Sequence, residues 1–403
     1  LLDWAQVHWP WYSGGMKSIF NTEVIDRLEL LTGGFPPKYG NALSSVMNVS
    51  TRSGNRDNYS GKFSLGMLTT QGLFEGPMNE NGSFLVTGRR TYLDLFMGED
   101  AEFPVPGFSD GTIKVDYDLS EKHSLEASAF ISYESMDYYN DDPEPGVPEV
   151  LNTDDKINTQ SLQLNSILGP SAYSQLAVAR TYINADVRVG TAYDMNIIST
   201  LIGAREDITW KIHPRHEIKT GFEFWWTENE MDGFVPLDPS DMYASYDSSD
   251  IPVDYFNFKK GYVYSGGYLQ DSYRLLDKLQ LTGGFRADYN EWSDDWTLSP
   301  RLSARYELTQ KTALRAAWGQ YRMFKDIFNY SRNPDMDADQ AVHYILGVNQ
   351  EFNRTFSGWM EIYYKDYSHL TVVDSSGSYF DIGTGHAQGV EFFLQKKLGA
   401  LTG

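Results

Sequence analysis

From about residue 57 onward the chain alternates apolar and polar positions with a period of two. Between 196 and 212, Ile198, Ile202, Ala204, Ile208, Trp210 and Ile212 share one parity, while Ser199, Arg205, Asp207, Thr209 and Lys211 share the other. After the turn HPRH (213–216) the alternation resumes, with Ile218, Thr220, Phe222, Phe224 and Trp226 opposed to Glu217, Lys219 and Glu223. The run 278–289 sets Leu279, Leu281, Phe285, Ala287 and Tyr289 against Lys278, Gln280, Thr282, Arg286 and Asp288. Alternation sustained this long is the signature of strands with two unlike faces. It predicts about 16 strands of roughly 10 to 15 residues, longer than the 5 to 6 usual in soluble sheets.

The connections alternate in length. GPMNENGS (76–83), LSEKH (119–123), GPSA (169–172), HPRH (213–216), LLDK (275–278), LTQK (308–311) and FNRT (352–355) are tight. The stretches 93–110, 136–156, 185–195, 231–257, 324–340 and 368–385 are long and mostly acidic, and the link 291–296 is the short exception among them. Short turns on one rim and long loops on the other describe a bacterial outer-membrane barrel. No segment approaches the roughly 18 consecutive apolar residues of a spanning helix, so lipid can be crossed here only by a closed barrel. A basic residue facing lipid near mid-bilayer costs about 2–4 kcal/mol, which assigns the parity of Arg205, Lys211, Lys219 and Arg286 to the lumen and the apolar parity to lipid. Glu206 lies on the apolar parity and calls for a bulge or an interfacial position.

Composition narrows the function classes. Aromatic residues make up 15% of the chain with 27 Tyr, and mean hydropathy is −0.44, as expected when half of each strand faces water. A net charge of −22 and a pI near 4.6 argue against a nucleic-acid partner. With no cysteine there is no disulfide framework, thiolate metal site or Cys nucleophile. Seven His are scattered, no G-x-S-x-G occurs, and GTGHAQG (383–389) opens a strand rather than the helix a phosphate loop needs. Asp335, Asp337 and Asp339 match the start of a calcium loop, but Gln340 stands where Gly is required and Leu346 where the closing Glu belongs. No catalytic residue, cofactor or metal is therefore expected. Leu1 opens in mid-pattern and 403 ends in a turn-like LGALTG, so the chain reads as a fragment with both ends missing. A soluble propeller or sandwich is disfavoured by the strand lengths and the unequal rims.

Ahead of the strands lies a Gly/Pro-rich run, GGFPPKYGNALSSVMNVSTR (33–52). The longer segment SIFNTEVIDRLELLTGGFPPKYGNALSSVMNVSTRSGN (18–55) is similar to the second half of the plug of TonB-dependent outer-membrane receptors of the kind common in Bacteroidetes. FEGPMNENGSFLVTGRRTYLDLF (74–96) resembles that family's early barrel strands. YLQDSYRLLDKLQLTGGFRADYNEW and SPRLSARYELTQKTALRAAWGQY resemble its middle strands, and NPDMDADQAVHYILGVNQEF with GHAQGVEFFLQKK its later ones. Ser45 departs from the motif, which often carries a second Gly there.

The resemblance implies an all-β chain: residues 1–57 as the carboxy-terminal part of a plug domain and 58–403 as an antiparallel transmembrane barrel missing its last strands. It implies an outer-membrane location in a Gram-negative cell, and import of a scarce ligand by plug displacement. The implied partners are the TonB–ExbB–ExbD complex, outer-membrane lipid and lipopolysaccharide, and a lipoprotein lid. Siderophores, cobalamin, glycans and peptides all use such a scaffold. A surface binding or adhesion protein on the same scaffold is the rival reading, and an open porin is opposed by the plug segment. Trp9, Trp11 and Tyr12, in the aromatic stretch that also holds Trp4, are candidate ligand-stacking residues, with a wedge against the barrel wall as the alternative. Arg27 and Glu29, two apart on a strand, and Arg89 with Arg90, of which only one can face the lumen, are candidate plug–barrel contacts.

Overall fold

Once the alternation is sustained, each strand can bury its polar parity only by pairing with its neighbours in sequence, and a meander results. The structure, a computed structural model, describes residues 1–7, 10–12, 18–92, 107–139, 150–238, 241, 251–374 and 377–396. β1 (Ile25–Leu31) and β2 (Val46–Thr51) form a two-stranded antiparallel sheet of their own. The remaining strands are β3 (Ser60–Leu65), β4 (Thr69–Asn79), β5 (Gly82–Thr91), β6 (Gly107–Ser120), β7 (His123–Tyr139), β8 (Val150–Gly169), β9 (Ala172–Val189) and β10 (Tyr193–His213). They continue as β11 (His216–Pro236), β12 (Val253–Leu276), β13 (Leu279–Asn290), β14 (Asp295–Glu307), β15 (Thr312–Met323), β16 (Asp339–Asn353), β17 (Phe356–Val373) and β18 (Tyr379–Lys396). These form one 16-stranded sheet in strict sequence order, with β3 and β18 as its edges. No described helix is long and apolar enough to cross a membrane.

Several strands are taller than the expected 10 to 15 residues: β12 has 24, β10 and β11 have 21 each. The stretch 185–195, expected as a loop, is mostly strand, because β9 and β10 stay paired up to Val189↔Tyr193 and the Arg188–Asp194 ion pair (2.6 Å) closes the hairpin. Acidic composition marked solvent there, not the end of pairing.

The two parities separate as the charge argument requires. Trp210, Ile212, Phe222, Phe224 and Phe285 are exposed on the outer face, whereas Arg205, Asp207, Glu223 and Arg286 are buried on the inner one. Glu206 does point outward, where the Ser174 hydroxyl donates to it at 3.0 Å.

The core lies between the concave face of the sheet and the amino-terminal segment. Leu2, Tyr12, Ile19 and Val49 pack on Phe108, Phe130 and Ile157 of the wall, and Phe35, Tyr39 and Leu43 pack on Tyr321 and Ala341. The connection 324–338 turns inward, carrying α1 (Ile327–Arg332), which Asp326 caps by accepting the Asn329 N–H. Its Phe324, Tyr330 and Met336 join Trp225 and Tyr264 of the wall and Ala5 in one buried cluster, so this connection packs on the amino-terminal segment.

One ladder is incomplete. β14 and β15 pair only from Arg301↔Gly319 to Glu307↔Ala313, although each keeps its other neighbour to the end. Pro300, with no N–H to give, stands where that pairing stops.

Candidate functional site

The run GGFPPKYG has an unusual backbone problem. Two consecutive prolines hold it extended and contribute carbonyls without N–H groups, so local pairing, in which the Tyr39 N–H donates to the Pro36 carbonyl (3.1 Å), leaves most of its acceptors in need of donors from elsewhere. The wall supplies them as cations. Arg301 Nη1 donates to the carbonyls of Phe35 (3.2 Å), Pro36 (2.6 Å) and Tyr39 (2.8 Å). Arg286 Nη1 reaches those of Pro37 (3.4 Å) and Lys38 (3.3 Å), and Arg205 Nη2 donates to that of Lys38 at 2.7 Å. Lys365 donates to the carbonyls of Thr32 and, at 3.3 Å, Ser44. On the other side of the loop the Gly34 N–H donates to His343 Nδ1 (3.5 Å), and Gly34 adopts a left-handed φ of 59°.

The arginines are themselves fixed by the wall. Arg205 holds Asp207 through Nε (2.8 Å) and Nη2 (3.1 Å). Arg286 contacts Asp288, Glu223 and the Tyr264 hydroxyl, and Tyr268 donates to Asp207 at 2.6 Å. Lys38 adds a cation from the loop, 3.6 Å from Asp207, and Trp4 lies between Lys38 (4.2 Å) and Arg205 (4.4 Å). Burial pushes the Lys38 ammonium below its ordinary range, with Asp207 opposing the shift. Arg205, Arg286, Arg301 and Lys38 thus face Asp207, Glu223 and Asp288, and the surplus positive charge is met by backbone carbonyl dipoles. Fit is close: a Cβ on Gly40 would lie 2.0 Å from Arg286 Nε.

A second contact lies across the lumen. Arg89 donates to Asp110 through Nε (2.9 Å) and Nη2 (2.6 Å), and Nη2 also reaches the carbonyls of Ser18 (3.0 Å) and Ile19 (3.1 Å). The Tyr12 hydroxyl donates to Asp110 at 2.7 Å while its ring stacks on Phe108 at 4.2 Å. Burial and Asp110 together raise the Tyr12 hydroxyl well above its ordinary range.

The arrangement holds the segment 32–44 against the inner face of the sheet through many separate, reversible hydrogen bonds. Residues 38–402 match the family model described as TonB dependent receptor-like, beta-barrel. The chain belongs to the TonB-dependent receptors. Its fold is similar to the outer membrane transporter YddB from Escherichia coli (11% identity, TM-score 0.71, covering 95% of this chain and 62% of that one). It is similar too to the siderophore receptor PirA from Pseudomonas aeruginosa (15%, 0.72, 99% and 74%) and to the Ferric-Catecholate import receptor Fiu from E. coli K12 (11%, 0.66, 89% and 65%). The chain therefore spans roughly two thirds of the length of such receptors. No curated protein matches it in sequence.

Among the residues singled out from the sequence of this TonB-dependent receptor, Arg89 faces inward and binds the amino-terminal segment, while Arg90 faces outward and is exposed. Tyr12 is buried at 4% as a wedge against the wall, whereas Trp11 is 55% exposed. Trp9 lies outside the described residues. Arg27 and Glu29 are both exposed and are not brought to the wall: Glu29 accepts from Tyr39 (3.4 Å), and Arg27 makes no ion pair among the described residues. Asp339 pairs with Lys325, and Asp335 is exposed, so the apparent calcium-loop spacing is not used as such. In the acidic stretches 136–156 and 231–257, residues 140–149, 239–240 and 242–250 lie outside the described residues, and most of the remainder is strand of β7, β8, β11 and β12. Sequence reasoning missed Arg301, Lys365 and His343; their signal was inward parity on strands opposite a run of unpaired proline carbonyls.

Proposed function

We propose that this receptor is an outer-membrane importer of a Gram-negative cell, with 1–57 as part of its plug and 58–403 as part of its barrel. It binds a scarce extracellular ligand and admits it by displacement of the plug, driven through the TonB–ExbB–ExbD complex. The observation that carries this reading is the set of wall cations grasping the backbone of 32–44: a seat of many modest bonds holds against thermal motion yet gives way one bond at a time under a pull. The siderophore and ferric-catecholate receptors of like fold favour a metal chelate as ligand, with exposed Trp11, and Trp9 two positions before it in the sequence, as stacking surface. Lipid and lipopolysaccharide surround the apolar outer face, and a lipoprotein lid over the outer rim belongs to the same reading.

The test uses the full-length protein in its own cell. Accumulation of labelled ferric chelates, cobalamin, glycans and peptides is compared in the parent, a strain lacking this protein and a strain lacking TonB. Loss of one ligand class in both deletion strains is expected. Surface binding without TonB-dependent accumulation would favour the adhesion reading instead. The pair Trp9→Ala with Trp11→Ala is expected to weaken binding of that ligand while the barrel stays folded, and unchanged affinity would remove both residues from the site.

A further inference from the structure

Where β14 and β15 part above Arg301, the wall holds a cleft of about 450 Å³ that Trp296, Leu298, Gln320, Arg322, Asp337 and His369 help to line. Three side chains converge at its rim from three separate stretches: Asp337 from the inward-turned connection, His369 from β17 and Asp381 from β18. Their ligand atoms all lie within 4.8 Å of one another. His369 Nδ1 is 3.5 Å from Asp337 Oδ2, and the Asp337 N–H donates to Asp381 Oδ2 at 2.8 Å. A register shift between Tyr367 and Leu370 takes His369 out of the regular alternation, and Lys325 holds its carbonyl.

Exposed carboxylates are usually just solvated, so proximity alone decides little. Two further observations change the balance. Among the described residues neither Asp337 nor Asp381 has a Lys or Arg within ion-pair distance, and Arg322, which lines the same cleft, acts on Asp337 only at longer range. In addition Thr297, 7% exposed, lines the same cleft with a hydroxyl that has no hydrogen-bond partner. A buried hydroxyl left unpaired beside an opening is a place for a group that comes from the opening.

The geometry points to a binding site for a divalent first-row transition-metal ion, such as zinc, held by Asp337, His369 and Asp381 at the mouth of the β14–β15 cleft. A mixed nitrogen and oxygen set of three suits such an ion, whereas calcium and magnesium call for more, all-oxygen ligands. Three protein ligands leave coordination positions open for water or for a ligand donor in the cleft. The site stands on its own chemistry and does not depend on what the receptor imports.

The test is a titration of the chelator-stripped, full-length receptor in detergent with Co²⁺, followed by absorption and by displacement with Zn²⁺. One Co²⁺ per chain is expected, displaced by Zn²⁺ and not by Ca²⁺. Asp381→Asn and His369→Gln are each expected to weaken binding by about 100-fold or more, since even indirect support of a metal ligand is worth 10- to 100-fold. Asp335→Asn, an exposed neighbour outside the cluster, is expected to bind as the parent does. Heat-dependent gel migration checks that each variant is folded. Absence of a stoichiometric Co²⁺ signal in the parent overturns the site, as do unchanged affinities in both ligand variants or an equal loss in Asp335→Asn, which would mark a diffuse acidic surface.

Discussion

Arg301→Met removes the wall side chain with the most bonds to the loop while keeping its bulk. Arg301 is 5% exposed, and the same nitrogen serves Phe35, Pro36 and Tyr39. Without it the Phe35 carbonyl keeps the Tyr321 hydroxyl (3.3 Å) and the Pro36 carbonyl keeps the Tyr39 N–H (3.1 Å), but the Tyr39 carbonyl has no other partner among the described residues. One buried orphan costs about 1–3 kcal/mol and each weakened acceptor about 0.5–1.5 kcal/mol, so the seat of the loop loses between about 2 and 6 kcal/mol. Part is returned, because Arg301 makes no salt bridge to a carboxylate among the described residues and its desolvation disfavours the seated state. The lower end, about 2–3 kcal/mol, is the expected net effect on loop opening. At about 1.4 kcal/mol per tenfold, amide hydrogen exchange across 33–44 should accelerate about 30- to 150-fold. Arg305→Met is the control: on the same strand, exposed, and paired among the described residues only with Glu307 at 2.7 Å, it should leave that exchange unchanged. If exchange over 33–44 is unaltered in Arg301→Met, or altered as much in Arg305→Met, the carbonyl-clamp reasoning fails.

Gly40→Ala places a Cβ 2.0–2.5 Å from the guanidinium of Arg286, itself 1% exposed, and should cost the seat at least about 1–3 kcal/mol; cells carrying it should become sensitive to bulky antibiotics while the barrel migrates normally on gels. Tyr12→Phe deletes a hydrogen bond to a carboxylate and should destabilise the packing of the amino-terminal segment by about 1.5–3 kcal/mol, read as loss of exchange protection around Ile19 and Val49. Leu302→Arg, on the outer face where Leu302 is 58% exposed, should cost about 2–4 kcal/mol in urea unfolding from bilayers, whereas Ser303→Arg on the inner parity should cost less than about 1 kcal/mol. Equal costs at the two positions would contradict the assignment of faces.

How much of the fold is legible in the sequence differs by feature. The faces were legible because lipid is an intolerant solvent: Arg205 and Arg286 on one parity and Trp210 and Phe285 on the other admit a single orientation of the sheet. The heights of the strands were less so. Acidic residues at 185–195 told that the stretch meets water, but water does not end a ladder, and a hairpin standing above the membrane reads like a loop. Arg27 and Glu29 do lie on a strand, β1, yet that strand belongs to a two-stranded sheet whose pattern carries no information about which side the wall is on. The calcium-like spacing of Asp335, Asp337 and Asp339 was local arithmetic, and folding regroups Asp337 with His369 and Asp381 instead.

The clamp itself shows why whole-chain averages mislead about sites. A net charge of −22 suggests a lumen that repels anything acidic, yet the loop 33–40 is surrounded by Arg205, Arg286, Arg301 and Lys365. Their partners on that segment are main-chain oxygens, which have no letter in the sequence, and they lie 167 to 333 residues away along the chain. No pairing of opposite charges in the sequence could have found them. What the sequence does carry is the demand side: Pro36 and Pro37 remove two N–H groups and so leave the loop with more acceptors than donors, and inward-facing cations on β10, β13, β14 and β17 are groups that water no longer reaches. Each unmet need is the other's solution, and the loop 33–40 is held by that exchange more than by shape alone.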